Sequence, residues 1–336
     1  MSMRVVILGA SGYVGGELLR LIATHPQFEC VIASGASSAR KPFEALHPHL
    51  ALAYRGRCFE AYEPDLLDGC DLVMAALPHG QSQRLVDDII KRDLPLVDLG
   101  ADFRLDNAAQ YRRWYGETHS RPELLGSFVY GLPEFARHAI AGSRRVAAPG
   151  CYPTAASLAL KPLIDAGLIT REGIIVDAAS GVSGAGRAAS AATQYCAVEG
   201  NFRAYGLLGH RHTAEMEMML GGEVLFTPHL VPISRGILAT CYAQAVGPCD
   251  PLEILREAYR GERFVHVGDT PPETKWAAGS NAAFVSARYD DRTKRVIAIA
   301  AIDNLGKGAA GQMIQCANLM LGLDEHAGLA NMGIYP

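Results

Sequence analysis

A glycine turn set between a strand and a helix constrains this chain more than any other feature. Residues 4–8 (RVVIL) are a short β-branched apolar run, long enough for a buried strand and too short for a helix. Gly9-Ala-Ser-Gly12-Tyr-Val-Gly15 follows at once. Residues 17–24 (ELLRLIAT) then place Leu18, Leu19, Leu21 and Ile22 on one helical face before Pro26 stops the pattern. A strand that turns through glycines into a helix opens a parallel βαβ unit. The rhythm continues with strands predicted at 28–34, 71–77 and 94–99 and a helix at 81–92, so the first half reads as a doubly wound parallel sheet.

Near Pro149 the rhythm changes. Residues 153–166 read as a long apolar helix and 173–179 (GIIVDAA) as a strand. Runs 224–231 and 237–246 look like neighbouring strands joined at 232–236. Runs 281–289 and 295–302 bracket the turn 290–293, a hairpin by alternation and turn chemistry. The expected fold class is therefore α/β: a Rossmann-like dinucleotide-binding domain plus an α+β domain with a mixed, largely antiparallel sheet. Residues 1–150 form the first domain, completed by a C-terminal helix within 307–336, and residues 151–306 form the second.

At 336 residues the chain buries a large core without disulfides or metal. Thirty-one Lys and Arg against 35 Asp and Glu give a net charge of −4, which speaks against nucleic acid or an anionic membrane as partner. No charge-free apolar run reaches the ~18 residues of a membrane helix. The apolar stretch after Met1-Ser2-Met3-Arg4 is too short for a signal peptide, so a cytoplasmic location is expected. Eight scattered cysteines without a C-x-x-C pair read as reduced thiols, most of them small core residues.

The turn's spacing is G-x-x-G-x-x-G, a variant of the dinucleotide fingerprint. Its glycines permit a tight bend and close approach of a pyrophosphate, and the helix N-terminus offers N–H groups and a positive dipole end. At the end of the second strand an NAD site usually carries an acid for the ribose 2′-hydroxyl. Here the stretch is Ser34-Gly-Ala-Ser37-Ser38-Ala-Arg40-Lys41, whose hydroxyls and cations suit a 2′-phosphate, so NADP is the expected cofactor. Pro78, at a strand's C-terminal end, borders it. His79 beside it, like His47 and His49, reads as a solvated loop residue, with a place bordering the cofactor as the alternative for His79. A second string, Gly306-Lys-Gly308-Ala-Ala-Gly311, opens the last helix. It reads either as a second approach to the cofactor or as a plain helix-entry loop.

Cys151 stands out from the other cysteines. It lies in Pro149-Gly-Cys-Tyr-Pro153, at the start of the long helix, where the dipole favours thiolate over thiol. Gly209-His210-Arg211-His212 packs two imidazoles around a guanidinium, a natural proton shuttle near neutral pH. A third metal ligand is not evident, so no metal is expected. Arg104 past a strand end, Arg187 after the glycine-rich loop 180–186 and Arg235 in Ser-Arg-Gly are candidate holders of an anionic substrate.

With these pieces assembled, the chain resembles the N-acetyl-gamma-glutamyl-phosphate reductase family of arginine biosynthesis, within the semialdehyde dehydrogenase superfamily. The matching stretches are GASGYVGGE at Gly9, ALPHG at Ala76, GADFRL at Gly100, YGLPE at Tyr130, PGCYPTAA at Pro149, SGVSGAGR at Ser180, GHRHTAE at Gly209, SRGILAT at Ser234 and AIDNLGKGAAGQ at Ala301. They span nearly the whole chain. The resemblance implies that Cys151 is the nucleophile and His210 the acid–base, with His212 helping to hold substrate. It implies that Gly9, Ser11, Gly12, Tyr13 and Val14 form the NADP phosphate loop and that Ser180, Ser183, Gly184 and Asn304 lie around the nicotinamide. It also implies a homodimer or homotetramer built through the second domain's sheet. Ala214 departs from the family, which often has Pro there. The implied reaction is NADPH-dependent reduction of a small acyl phosphate through a cysteine thioester. Open alternatives are another acyl-phosphate reductase, of aspartate- or aminoadipyl-semialdehyde type, a non-catalytic NADP sensor, and a cysteine hydrolase.

Overall fold

The computed structural model describes residues 2–335. The chain divides into two compact units. One runs to Pro149 and takes back Ala309–Leu329; the other comprises Gly150–Gly308 and the segment from Ala330 onward. The final stretch is thus divided, where the sequence suggested that all of 307–336 completes the first domain. Its last residues are held in the second unit by Asn281 N–H donating to the Ala330 carbonyl (2.8 Å) and Ile334 N–H to the Ala278 carbonyl (2.8 Å).

The first unit is built on strands β1 (Met3–Leu8), β2 (Phe28–Ala33), β3 (Leu72–Ala75), β4 (Leu96–Asp98), β5 (Val129–Tyr130) and β6 (Arg145–Ala147), in the order β2-β1-β3-β4-β6-β5. Every pairing is parallel. Parallel strands covered on both faces read as continuous apolar runs, as 4–8 does. Alternation sends Val5, Ile7, Met74 and Val97 into one core and Val6, Leu8, Val73 and Leu96 into the other. Helix Tyr13–Ile22 covers the first face with Leu18, Leu19, Leu21 and Ile22, together with Met313, Ile314 and Ala317 of helix Gly311–Met320. Helix Ser82–Lys91 supplies Val86 and Ile89 to the second. The order changes direction at β1, which places a ligand crevice at the carboxyl ends of β1 and β3.

The second unit carries β7 (Ile174–Gly181), β8 (Arg203–Ala204), β9 (Val224–Val231), β10 (Ile237–Gln244), β11 (Val265–Val267), β12 (Ala283–Asp290) and β13 (Arg295–Ile302), in the order β11-β12-β13-β10-β7-β9-β8. Two pairings are parallel, β11 with β12 and β7 with β9; the rest are antiparallel. The β12–β13 hairpin forms as expected. β9 and β10 are not neighbours, because β7 inserts between them and pairs with both. The short connection at 232–236 suggested neighbouring strands, but Pro232–Gly236 instead carries the chain past β7's end. One sheet face packs against helix Cys151–Asp165. That helix contains Pro162, which has no N–H for the Leu158 carbonyl one turn back, and the Tyr259 hydroxyl donates to that carbonyl instead (2.7 Å).

Among the described residues no helix is long and apolar enough to cross a membrane. No disulfide links any of the eight cysteines. Cys58 and Cys196 are exposed, so fewer thiols are core residues than the sequence suggested.

Candidate active site

In the first unit the ends of β1, β2 and β3 meet around the glycine turn. Gly9 has φ +83°, and a Cβ there would lie 2.4 Å from the Ala76 carbonyl oxygen at the end of β3. A Cβ on Gly15 would lie 2.4 Å from the Ala10 Cα. Gly12, the N-cap, has room: the nearest atom to its Cβ position is 3.7 Å away. No side chain caps helix Tyr13–Ile22 and its first turn holds no acid, so the turn fits an anionic pyrophosphate. Val14 is half-buried and packs on the core, and Tyr13 is exposed. Ser11 abuts Gly35 just past β2. Ser34 is buried and tied to the turn, its carbonyl accepting from Ala10 N–H (2.7 Å) and its hydroxyl lying 3.4 Å from Gly9 N. Ser38 is also buried, whereas Ser37, Arg40 and Pro78 are exposed.

Other expected loop residues sit differently. His47 is buried, and its Nε2 donates to the Ala10 carbonyl (3.0 Å). His79 is half-buried and stacked on Tyr115. Its Nε2 lies 3.1 Å from Glu117 Oε1 and its Nδ1 3.2 Å from Asp102 Oδ1. A polar H-P-H or P-H-G stretch carries no periodic signal of burial, which is why the sequence suggested solvent. Arg104 is buried and turns back to donate to the Leu99 carbonyl (2.6 Å).

In the second unit Cys151 is the first residue of its helix, half-buried, with Gly150 as N-cap. Three neighbours define its setting. A Cβ on Gly308 would lie 2.8 Å from the Cys151 Cβ. A Cβ on Gly150 would lie 2.5 Å from His212 Nε2, so that imidazole rests on the residue preceding the cysteine. Glu215, fully buried, accepts from Gly150 N–H (2.9 Å). Glu215 was not singled out in the sequence. The available signal was its i, i+3 spacing from His212, which puts both on one face of helix His212–Leu220.

His210 lies in an aromatic cage of Tyr152, Tyr205 and Phe226, with ring centroids 5.2–5.6 Å away. Burial, reinforced by the charge of Arg211, holds its imidazole down to about 4. Its Nδ1 accepts the His212 N–H (3.1 Å), so the neutral ring carries its proton on Nε2. Burial pushes the Tyr205 hydroxyl up to about 12, and it lies 3.1 Å from the Tyr152 hydroxyl.

Ser180, Ser183, Gly184 and Asn304 come together. Asn304 donates to Ser183 Oγ (2.9 Å) and accepts from Gly236 N–H (2.8 Å), while the Gly184 Cβ position is 2.8 Å from Ser180 Oγ. Arg235 ion-pairs with the buried Asp303 (3.2 Å), which also accepts from Gly279, Leu305 and Gly306 N–H groups. Arg187 is exposed on the loop beyond. The Gly306–Gly311 string is buried. A Cβ on Gly306 would lie 2.0 Å from the Ser280 carbonyl oxygen, so these glycines serve close packing rather than an open phosphate cradle. Among the described residues no group of three or more His, Cys, Asp or Glu side chains is placed to hold a metal.

A parallel dinucleotide-type unit followed by a mixed-sheet unit with a helix-start cysteine defines a class. Residues 4–143 match the semialdehyde dehydrogenase NAD binding domain and residues 151–304 the semialdehyde dehydrogenase dimerisation domain. The chain belongs to the semialdehyde dehydrogenase family. The fold is that of an aspartate semialdehyde dehydrogenase II from Vibrio cholerae, with a TM-score of 0.72 at 18% identity over 96% of this chain and 99% of that one. Within the family the chain groups with the N-acetyl-gamma-glutamyl-phosphate reductases. It is 45% identical to that of Pelotomaculum thermopropionicum, 47% to that of Symbiobacterium thermophilum and 48% to that of Streptomyces coelicolor, each over the full length of both chains.

Proposed function

We propose that the chain reduces N-acetyl-gamma-glutamyl phosphate to N-acetylglutamate 5-semialdehyde and phosphate in arginine biosynthesis, with NADPH as reductant. The observation that carries this reading is Cys151 at a helix start with the His212 imidazole on the adjoining Gly150. The thiolate attacks the acyl carbon; the carbon–sulfur bond forms as the carbon–oxygen bond to phosphate breaks. The His212 imidazole takes the proton that Cys151 gives up and passes it to the departing phosphate. NADPH, when bound, would supply the hydride equivalent that the reduction to the aldehyde level requires. Backbone N–H groups at the helix start hold the negative oxygen while the thiolate leaves again.

The sequence put the acid–base role on His210. We assign it to His212, because the Nδ1 lone pair of His210 is engaged by the His212 N–H and burial keeps that ring neutral. His210 then donates through Nε2 to substrate. His212→Asn should lower kcat by roughly 10²–10⁴-fold. The opposite result, with His210→Asn the slower variant, reverses the assignment.

NADP over NAD is supported by Ser37 and Arg40 exposed past β2, with no acid in the 34–41 stretch. Gly9, Ser11, Gly12, Tyr13 and Val14 would hold the pyrophosphate, and Ser180, Ser183, Gly184 and Asn304 the nicotinamide end. Arg104, Arg187 and Arg235 are the proposed substrate-anion contacts. Residues 1–150 with the last helix act as the cofactor domain. A homodimer or homotetramer is supported by the half-exposed face of the second sheet, where Leu225, Ile175, Tyr242 and Ile297 stand in register across β9, β7, β10 and β13. A reduced Cys151 suits the cytoplasm.

The test is an initial-rate assay with N-acetylglutamate semialdehyde, NADP and phosphate, each omitted in turn. Turnover should require all three. Faster turnover of aspartate semialdehyde would overturn the substrate assignment.

A further inference from the structure

We propose that His47 is a positioning residue for the dinucleotide, setting the shape of the turn that receives its pyrophosphate. The inference rests on the dinucleotide reading of the 9–15 turn. His47 is buried and its Nε2 donates to the carbonyl of Ala10, a residue with no exposed surface. The partner is a carbonyl, so Nε2 carries a proton in every form of the ring that makes this bond. A peptide is planar and trans, so its carbonyl and N–H point in opposite directions. Drawing the Ala10 carbonyl toward His47 therefore aims the Ser11 N–H to the other side of the turn.

The ring itself has little freedom. A Cβ on Gly16 would lie 2.5 Å from His47 Cε1 and 2.6 Å from Nδ1, so the imidazole lies directly on the helix that follows the turn. Phe59 closes it edge-on, with ring centroids 5.9 Å apart, and the His47 N–H donates to the Phe43 carbonyl (2.7 Å). His47 thus joins two stretches that the dinucleotide must span: the pyrophosphate turn, and the segment after Ser34–Lys41 that meets the adenosine end. Without the imidazole, the Ala10 carbonyl is a buried acceptor with no donor. The 10–11 peptide then rotates to find one, taking the turn's N–H groups with it.

Three variants test this: His47→Leu, which keeps bulk without a donor; His47→Gln, which restores an N–H donor; and Gly16→Ala, which pushes the ring from the opposite side. NADPH affinity is read by fluorescence titration, with steady-state constants and thermal melts alongside. His47→Leu and Gly16→Ala should weaken NADPH roughly 5- to 30-fold. The loss should fall on Kd and KM for the dinucleotide, with kcat at saturation and KM for the semialdehyde within about twofold. His47→Gln should recover most of the affinity. Wild-type NADPH affinity in His47→Leu overturns the proposal. So does a loss that tracks the melting temperature, falls on every constant together and is not rescued by Gln. If His47→Leu does not fold, unchanged affinity in Gly16→Ala overturns it as well. Absence of NADPH binding by the wild-type protein would instead defeat the dinucleotide reading itself.

Discussion

Gly150→Ala isolates the contact between His212 and the cysteine-bearing helix. Gly150 has φ −67° and ψ 155°, a conformation alanine adopts freely, so the backbone itself is not strained. The added methyl would sit 2.5, 2.7 and 2.8 Å from His212 Nε2, Cε1 and Cδ2. Ordinary contact begins at 3.4 Å, so the imidazole must retreat by about 0.9 Å, a displacement of the size that costs catalysis roughly 10²-fold. The Gly150 N–H still reaches Glu215, so the helix start keeps its anchor. Phosphate-dependent oxidation of N-acetylglutamate semialdehyde should fall about 10²-fold in kcat, with NADP affinity unchanged. The decisive measurement is a double-mutant cycle with His212→Asn. If the methyl acts by moving the imidazole, Gly150→Ala adds little once the imidazole is gone. Losses that multiply, or a Gly150→Ala enzyme of wild-type rate, would refute the reasoning.

Cys151→Ser should abolish turnover while leaving NADPH binding intact; retained turnover removes the sulfur from the mechanism. Iodoacetamide labelling followed by peptide mapping should show Cys151 reacting ahead of the exposed Cys58 and Cys196. Arg40→Glu should raise the KM for NADPH at least about tenfold and leave that for NADH nearly unchanged; equal effects on both would place Arg40 away from the 2′-phosphate. Asp98 is fully buried, and burial raises its carboxyl from 3.8 to about 6. The ionised native form therefore carries a cost that is full above about pH 6 and disappears as pH falls toward the unfolded value. Asp98→Asn should stabilise the protein near pH 8 by at most about 3 kcal/mol, with the gain shrinking below pH 6. Urea titrations at several pH values check this, and a pH-independent difference would contradict it.

The parts of the fold that the sequence announced are those set by local rules. The 4–8 run, the glycine turn and helix Tyr13–Ile22 are encoded by neighbouring residues; the strand lies within a residue of its expected limits, while the helix begins four residues before the expected 17, inside the glycine turn. The hairpin at 290–293 is equally local. Strand order is not: nothing within 224–246 announces that β7, about forty residues upstream, enters between β9 and β10. Burial of polar residues was also hidden. His47 and Glu215 are buried by partners far away in the chain, Ala10 and Gly150, and a hydropathy pattern cannot express a single long-range hydrogen bond. The second glycine string was ambiguous because a cradle for phosphate and a backbone packed on the Ser280 carbonyl demand the same missing Cβ. Arg235 was recognised as a cation, but its pairing with Asp303 depends on β10 and β13 lying side by side.

The helix that returns to the first unit sets an order of events during synthesis. Met313, Ile314, Cys316 and Ala317 occupy one core of the parallel sheet, yet they are translated after every strand of both sheets. The amino-terminal half must therefore wait on the ribosome with one apolar face uncovered until nearly the whole polypeptide has emerged. A fragment ending near Pro149 should aggregate rather than fold, and adding residues 309–329 as a separate peptide should rescue it.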